Sequence, residues 1–216
     1  MKRRDFALAT TGAALAGLIH LPARAQPAGF KAGTDYLELK TPAPVDAKPP
    51  QIEVVEFFSY GCVHCMHFEP IFEKWKKAAP KDVSVRLEHV GFQSNFEPLQ
   101  RIYYTLEAMG KVDTPVHGKV FTALQVDRVR LDQPAALFDW VAKQGLDRAK
   151  FEEIYKSFGV ANKVRRAVQL QDAYKVEGTP ALGIAGRYYT DGSMAKGFER
   201  MLALTDALIA QERKRG

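Results

Sequence analysis

The chain's two cysteines, Cys62 and Cys65, sit at the joint between two opposed patterns. Before them, "QIEVVEFFSY" (51–60) is rich in Val, Ile and Phe, the mark of a strand buried on both faces. After them, Phe68, Ile71, Phe72, Trp75 and Ala79 recur at three and four residues, which predicts a helix over 63–78. Pro70 falls inside that run and is expected to kink it. A strand that turns at once into a helix puts Cys62 at the helix start, among free backbone N–H groups, and Cys65 one turn in. "VSVRLEHV" (83–90) then alternates, with Val83, Val85, Leu87 and His89 on one face. The chain therefore opens β-α-β.

Helical signals fill the middle, from Glu97 to Lys175. Leu99, Ile102, Tyr103 and Leu106 form one stripe, stopped at Gly110. Thr114-Pro115 reads as an N-cap and first-turn proline, followed by Val116, Val120, Phe121 and Leu124. A third helix is expected from near Pro134 to Gly145. A fourth should start at Asp147, turn Phe151, Ile154, Tyr155 and Phe158 inward, and end at Gly159; a fifth should run from about Asn162 to Lys175. "EGTPALGIAGRYYTDG" (177–192) then reads as a turn, a strand, a tight Ala-Gly turn and a second strand. The last helix is expected over roughly Met194 to Arg213. The layout is α/β: a thioredoxin-like fold with an inserted all-helical domain. The expected parts are 26–92 and 171–216 for the thioredoxin-like domain and 93–170 for the insertion. Within the first of these parts, the Pro-rich stretch 26–51 reads as a loose opening segment holding one short strand, "DYLEL".

Residues 1–25 read as a secretory signal peptide: Lys2, Arg3 and Arg4, an apolar stretch from Phe6 to Leu21, and a small-x-small site at Ala23-Arg24-Ala25. Arg3-Arg4 leaves general secretion and twin-arginine export both open. No cysteine lies near the cleavage site, which argues against a lipid anchor there. Half of the formal net charge of +6 belongs to this leader, leaving +3 for residues 26–216. That balance does not point to nucleic acid, and the basic end "ERKRG" reads as a solvated helix end. Export means an oxidising compartment, the periplasm, where disulfides persist.

Four chemistries compete for Cys62-Val63-His64-Cys65. Zinc binding by Cys62, His64, Cys65 and His67 is disfavoured, because structural zinc sites draw ligand pairs from separated segments. Haem attachment needs His directly after the second cysteine, where Met66 stands. A purely structural disulfide closing so small a loop gains only about 2 kcal/mol. The position favours a redox pair, in which Cys62 exchanges with substrate and Cys65 resolves the mixed disulfide. The helix dipole supplies at most about 2 kcal/mol toward a Cys62 thiolate. Further stabilisation is expected from the N–H groups of His64 and Cys65 and from the His64 imidazole. Tyr60 and Phe68 read equally well as a peptide groove or as core.

"EFFSYGCVHCMHFEP", the later "EGTPALGIAGRYY" and the helical block between them resemble the DsbA family of periplasmic thiol oxidases. The resemblance covers nearly the whole chain after the leader. It implies a thiol:disulfide oxidoreductase that donates the Cys62–Cys65 disulfide to reduced cysteines of unfolded exported proteins. It also implies reoxidation by a membrane partner of the DsbB type, a monomer, and no cofactor or metal. Val63-His64 occupies the pair that tunes the potential, Pro-His in the familiar family members. By the same resemblance, Thr179-Pro180 is a cis bond facing the cysteines and exposing Thr179 to a peptide strand. Glu56 is the buried acid that moves the Cys65 proton, and Glu69 matches a further family acid. Leu87 stands where the family often has a basic residue. A reductase or isomerase of the same fold, or a metal- or peptide-binding carrier without turnover, are the alternatives.

Overall fold

The computed structural model describes residues 29–215, so the signal-peptide expectation lies outside the described residues. A short strand β1 (Leu37–Glu38) precedes β2 (Ile52–Phe58), α1 (Val63–Ala78) and β3 (Val83–His89). Helices α2 (Glu97–Ala108), α3 (Pro115–Gln125), α4 (Pro134–Lys143), α5 (Arg148–Lys156) and α6 (Phe158–Tyr174) follow. The chain ends with β4 (Ala181–Ile184), β5 (Tyr188–Asp191) and α7 (Phe198–Arg213). The sheet order is β1-β5-β4-β2-β3, with β2 parallel to β3 and antiparallel to β4. This is a thioredoxin-like fold with a helical insertion between β3 and β4.

Every residue of β2 is buried. Ile52, Val54 and Phe58 pack with Phe68 and Phe72 of α1 and with Met201, Leu204 and Leu208 of α7. Val55 and Phe57, on the other face, pack with Leu170 and Tyr174 of α6. The first of these cores runs on into the insertion through Ile102, Leu106, Phe121, Leu137 and Phe151. Sheet and helical block therefore share one apolar interior.

The tight turn after β4 has left-handed backbone at both Ala185 (φ 53°) and Gly186 (φ 66°), which matches the twist of the flanking strands. The Gly186 N–H donates to the Tyr174 hydroxyl at 2.9 Å.

Three helix boundaries differ from the sequence expectation. The fourth helix does not reach Gly159; it stops at Lys156, and Ser157 caps a new helix by accepting from Val160 N–H at 3.2 Å. Phe158, expected inward, is then the first residue of α6 and 73% exposed. The fifth helix accordingly starts at Phe158 and not near Asn162. The last helix starts at Phe198, not Met194, because the Asp191 carboxylate accepts from Ser193 and Met194 N–H and holds that stretch as a turn. Left-handed backbone at Lys196 (φ 61°) follows.

Gly183 of β4 meets Tyr174 so closely that an added Cβ would lie 2.4 Å from its ring. Gly183→Ala is expected to destabilise the protein by about 2 kcal/mol through overpacking, read as a lower urea midpoint at unchanged slope.

Candidate active site

Cys62 is the N-cap of α1, with extended backbone (φ −98°, ψ 116°). No side chain caps this helix, and no acidic residue stands in its first turn. The helix start thus offers N–H groups and a positive dipole end with no side chain to satisfy them. The register of the sheet brings the second half of the site to them. Phe57 of β2 pairs with Ala181 of β4, so Thr179, two residues before Ala181, comes level with the end of β2. The Thr179–Pro180 peptide is cis. The Thr179 carbonyl accepts from the Cys62 thiol at 3.4 Å.

The surroundings pull the Cys62 thiol down from an ordinary 9.0 to about 5. The largest cause is the hydrogen bond from the Cys65 thiol. The Thr179 side chain and the N–H groups of Cys65 and His64 add to it, against the cost of partial burial. Cys65 is fully buried and moves the other way, well above its ordinary value: burial disfavours its thiolate, and neighbouring Cys62 opposes a second charge. Ionisation is thus directed to one sulfur of the pair.

His64 brings its backbone N–H to the Cys62 sulfur, while its side chain is exposed. Val63 is also exposed. Thr179 separates two depressions. One, of about 290 Å³, lies beside Cys62 and is lined by Ser59, Phe92, Asn95, Phe96 and Leu99. The other, of about 280 Å³, is lined by His64, Pro180, Ser193 and Phe198. Tyr60 and Phe68, weighed above as groove or core, are both core.

Glu56 is buried on the α1 side of β2, and burial raises its carboxyl to about 8, with the Glu69 charge adding to this. Its register partner in β3 is Leu87. The cation acting on Glu56 comes instead from α1: Lys76 draws the carboxyl back toward ionisation and pairs with Glu73 and with Asp113 (3.1 Å). Glu69 is half-buried and raised by burial and by the Glu73 charge.

Sequence reasoning missed Lys76, His117, Gln125 and the Phe92–Phe96 pair. For His117 a signal existed: it stands beside Val116 in the apolar stripe of α3, and a histidine there needs a buried partner. Among the described residues, no group of three or more His, Cys, Asp or Glu side chains is arranged to hold a metal ion.

A dithiol at an uncapped helix start, set against a cis-proline on a thioredoxin-type sheet, defines the thioredoxin-like redox class. The family described as DSBA-like thioredoxin domain matches residues 92–209. The chain is 43% identical over 180 residues to the thiol:disulfide interchange protein DsbA of Bordetella parapertussis, covering 83% of this chain and 85% of that protein. It is 40% identical over 207 residues to the same-named protein of Azotobacter vinelandii, covering 94% and 96%. The crystal structure of Pseudomonas aeruginosa DsbA superposes with a TM-score of 0.82 at 38% identity, covering 86% of this chain and 96% of that one. The chain belongs to the DsbA family.

In the reduced protein, brief alkylation at pH 5.5–6 is expected to modify Cys62 and leave Cys65 untouched. Mass spectrometry of the digested protein checks this, and modification mainly at Cys65 would reverse the assignment.

Proposed function

We propose that this protein is a disulfide-donating thiol:disulfide oxidoreductase, with Cys62 as the exchanging sulfur and Cys65 as its resolving partner. The observation that carries the reading is Cys62 at the N-cap of α1, beside the buried Cys65 and the cis Thr179–Pro180 peptide; there the Cys65 thiol first, then the Thr179 side chain and the helix-start N–H groups, hold the Cys62 thiol near 5. The oxidised Cys62–Cys65 pair meets a reduced substrate as follows. A substrate thiolate attacks the Cys62 sulfur, and the Cys62–Cys65 bond breaks with its electron pair on Cys65. Cys65 takes up a proton, and Glu56, protonated at neutral pH by its raised carboxyl, is the acid on that side of the sheet. A second substrate thiolate then attacks the substrate sulfur of the mixed disulfide. Cys62 leaves as a thiolate, and its low pKa makes it a good leaving group. The substrate has lost two electrons, and the cysteine pair has gained them.

The Thr179 backbone beside Cys62 is suited to pair with an extended peptide, and the depression lined by Phe92, Phe96 and Leu99 offers an apolar seat next to it. We assign the substrates to unfolded exported proteins in the periplasm. The signal-like sequence of residues 1–25 supports export, and no helix of the described residues is long and apolar enough to cross a membrane. Reoxidation falls to a membrane partner of the DsbB type, and residues 93–170 form the inserted helical domain. The test is oxidation of a reduced two-cysteine peptide by the oxidised protein. Wild type should oxidise it stoichiometrically, and Cys62→Ser should not; oxidation by Cys62→Ser at the wild-type rate would defeat the assignment.

Stability supplies an independent check. The depressed Cys62 pKa stabilises the folded reduced form fully above about 9 and progressively less as pH falls through about 5. A shift of this size on a half-buried sulfur, discounted for solvent screening, is worth about 2–3 kcal/mol at the upper end. The Glu56 carboxyl is raised, so its effect runs the opposite way: it costs stability as pH rises from 4.5 toward 8. Glu56 is present in both redox forms, so the difference between them isolates Cys62. Denaturant unfolding of both forms should show the reduced form gaining on the oxidised one from pH 5 to pH 8. A difference flat across that range would mean that Cys62 is not an activated thiol.

A further inference from the structure

Residues Ser59–Cys62 form the turn that aims the exchanging sulfur, closed by Cys62 N–H donating to Ser59 O at 3.0 Å. Tyr60 sits inside this turn and is fully buried. Each of its three polar groups is held by a side chain from outside β2 and α1. Its N–H donates to His89 Nε2 of β3 at 3.1 Å. Its carbonyl accepts from Gln125 Nε2 of α3 at 2.9 Å. Its hydroxyl lies 2.7 Å from His117 Nδ1, also of α3.

The protons in this network are determined by its partners. His89 accepts through Nε2, so its proton is on Nδ1, which donates to Val90 O at 2.9 Å. His117 Nε2 faces Glu69 Oε1 at 3.9 Å, where a bare lone pair would be repelled. Its proton is therefore on Nε2, and Nδ1 accepts from the Tyr60 hydroxyl. Burial keeps both histidines neutral at pH 7, at about 3 for His89 and about 4 for His117, and it keeps Tyr60 protonated. Around them Phe58, Tyr103 and Phe121 stack edge-on against the Tyr60 and His117 rings or tilt across them.

We propose that Tyr60 is a positioning residue, through which helix α3 of the insertion holds the Cys62 turn in register with the N–H groups of α1. The proposal rests on the oxidoreductase reading above and adds the residues that set its strength. None of His89, His117 or Gln125 needs to touch a substrate. They keep the sulfur where a thiolate is best hydrogen-bonded. Loosening the clamp lets the turn relax, lengthens those bonds and disfavours the thiolate.

The experiment compares wild type with Tyr60→Phe, Gln125→Leu and His117→Leu, and with His117→Asn, whose Oδ1 can still accept from the Tyr60 hydroxyl. Each is assayed for the Cys62 pKa by alkylation rate against pH, for reduction potential against glutathione, and for thermal stability. In Tyr60→Phe and Gln125→Leu the Cys62 pKa should rise by about one unit, the weight of one misaligned hydrogen bond to a charged acceptor. Alkylation at pH 5 then slows about fivefold, and the couple becomes tenfold less oxidising, or about 30 mV. His117→Leu should do the same and His117→Asn should restore wild-type values. A wild-type pKa and potential in folded Tyr60→Phe and Gln125→Leu, whatever their melting temperatures, overturns the clamp even if His117→Leu fails to fold. A wild-type Cys62 that itself titrates near 9 instead overturns the oxidoreductase reading on which the clamp stands.

Discussion

Helix α1 begins without a side-chain cap, and the arrangement around Cys62 follows from that vacancy. A helix start of this kind carries unsatisfied donors and about half a positive charge. Most proteins meet them with Ser, Thr or Asp. Here the residue at the cap position is a cysteine, and its sulfur meets them only when ionised. The sheet then has two tasks. Strand β2, paired on one side with β3 and on the other with β4, fixes where the helix starts. Strand β4, through its register with β2, brings Thr179 to the same sulfur.

Much of this was legible in the sequence, for reasons that can be named. A strand buried on both faces has no alternation to misread, and "IEVVEFF" stands out against the Pro-rich segment before it. Thr114-Pro115 and Ala185-Gly186 each mark a boundary through backbone chemistry that other residues satisfy poorly. Ser157 was passed over because the apolar spacing of Phe151, Ile154, Tyr155 and Phe158 continues across it. A single serine cap interrupts the chain direction without interrupting the pattern. The cysteines and Thr179-Pro180 could be placed because local chemistry defines them. Lys76, His117 and Gln125 could not, because they reach the site only through packing of helices distant in sequence from the motif they serve.

The charges under the motif bear on the Glu56 proton. A buried carboxylate such as Glu56 is costly to ionise without a partner. With Leu87 opposite it in β3, the compensating charge comes from Lys76, in the last turn of α1 and anchored to Glu73 and Asp113. The anchor matters, because a long flexible side chain holds a fixed field only if its head is tied down. Burial and the Glu69 charge outweigh the pull of Lys76 and leave the carboxyl near 8, poised to hold a proton at neutral pH. An ordinary surface glutamate would be ionised there.

Oxidising power is a statement about which redox form the fold favours, and the geometry identifies the form. In the reduced protein the donors of α1, the Cys65 thiol and the Thr179 side chain all find a charged acceptor in the Cys62 sulfur. Forming the disulfide removes that charge and the Cys65 S–H with it, while the N–H groups of α1 and the Thr179 side chain stay in place. The oxidised form is therefore the one with unmet hydrogen-bonding capacity, and transfer of its disulfide to a substrate relieves it. Against this, a four-residue disulfide loop contributes about 2 kcal/mol of chain entropy, comparable with the gain from the thiolate, so the balance turns on how well the thiolate is held. How well it is held depends on the turn before it. That turn is packed into the apolar interior shared by the sheet and the insertion, so the helical block bears on the redox chemistry without contributing a cysteine.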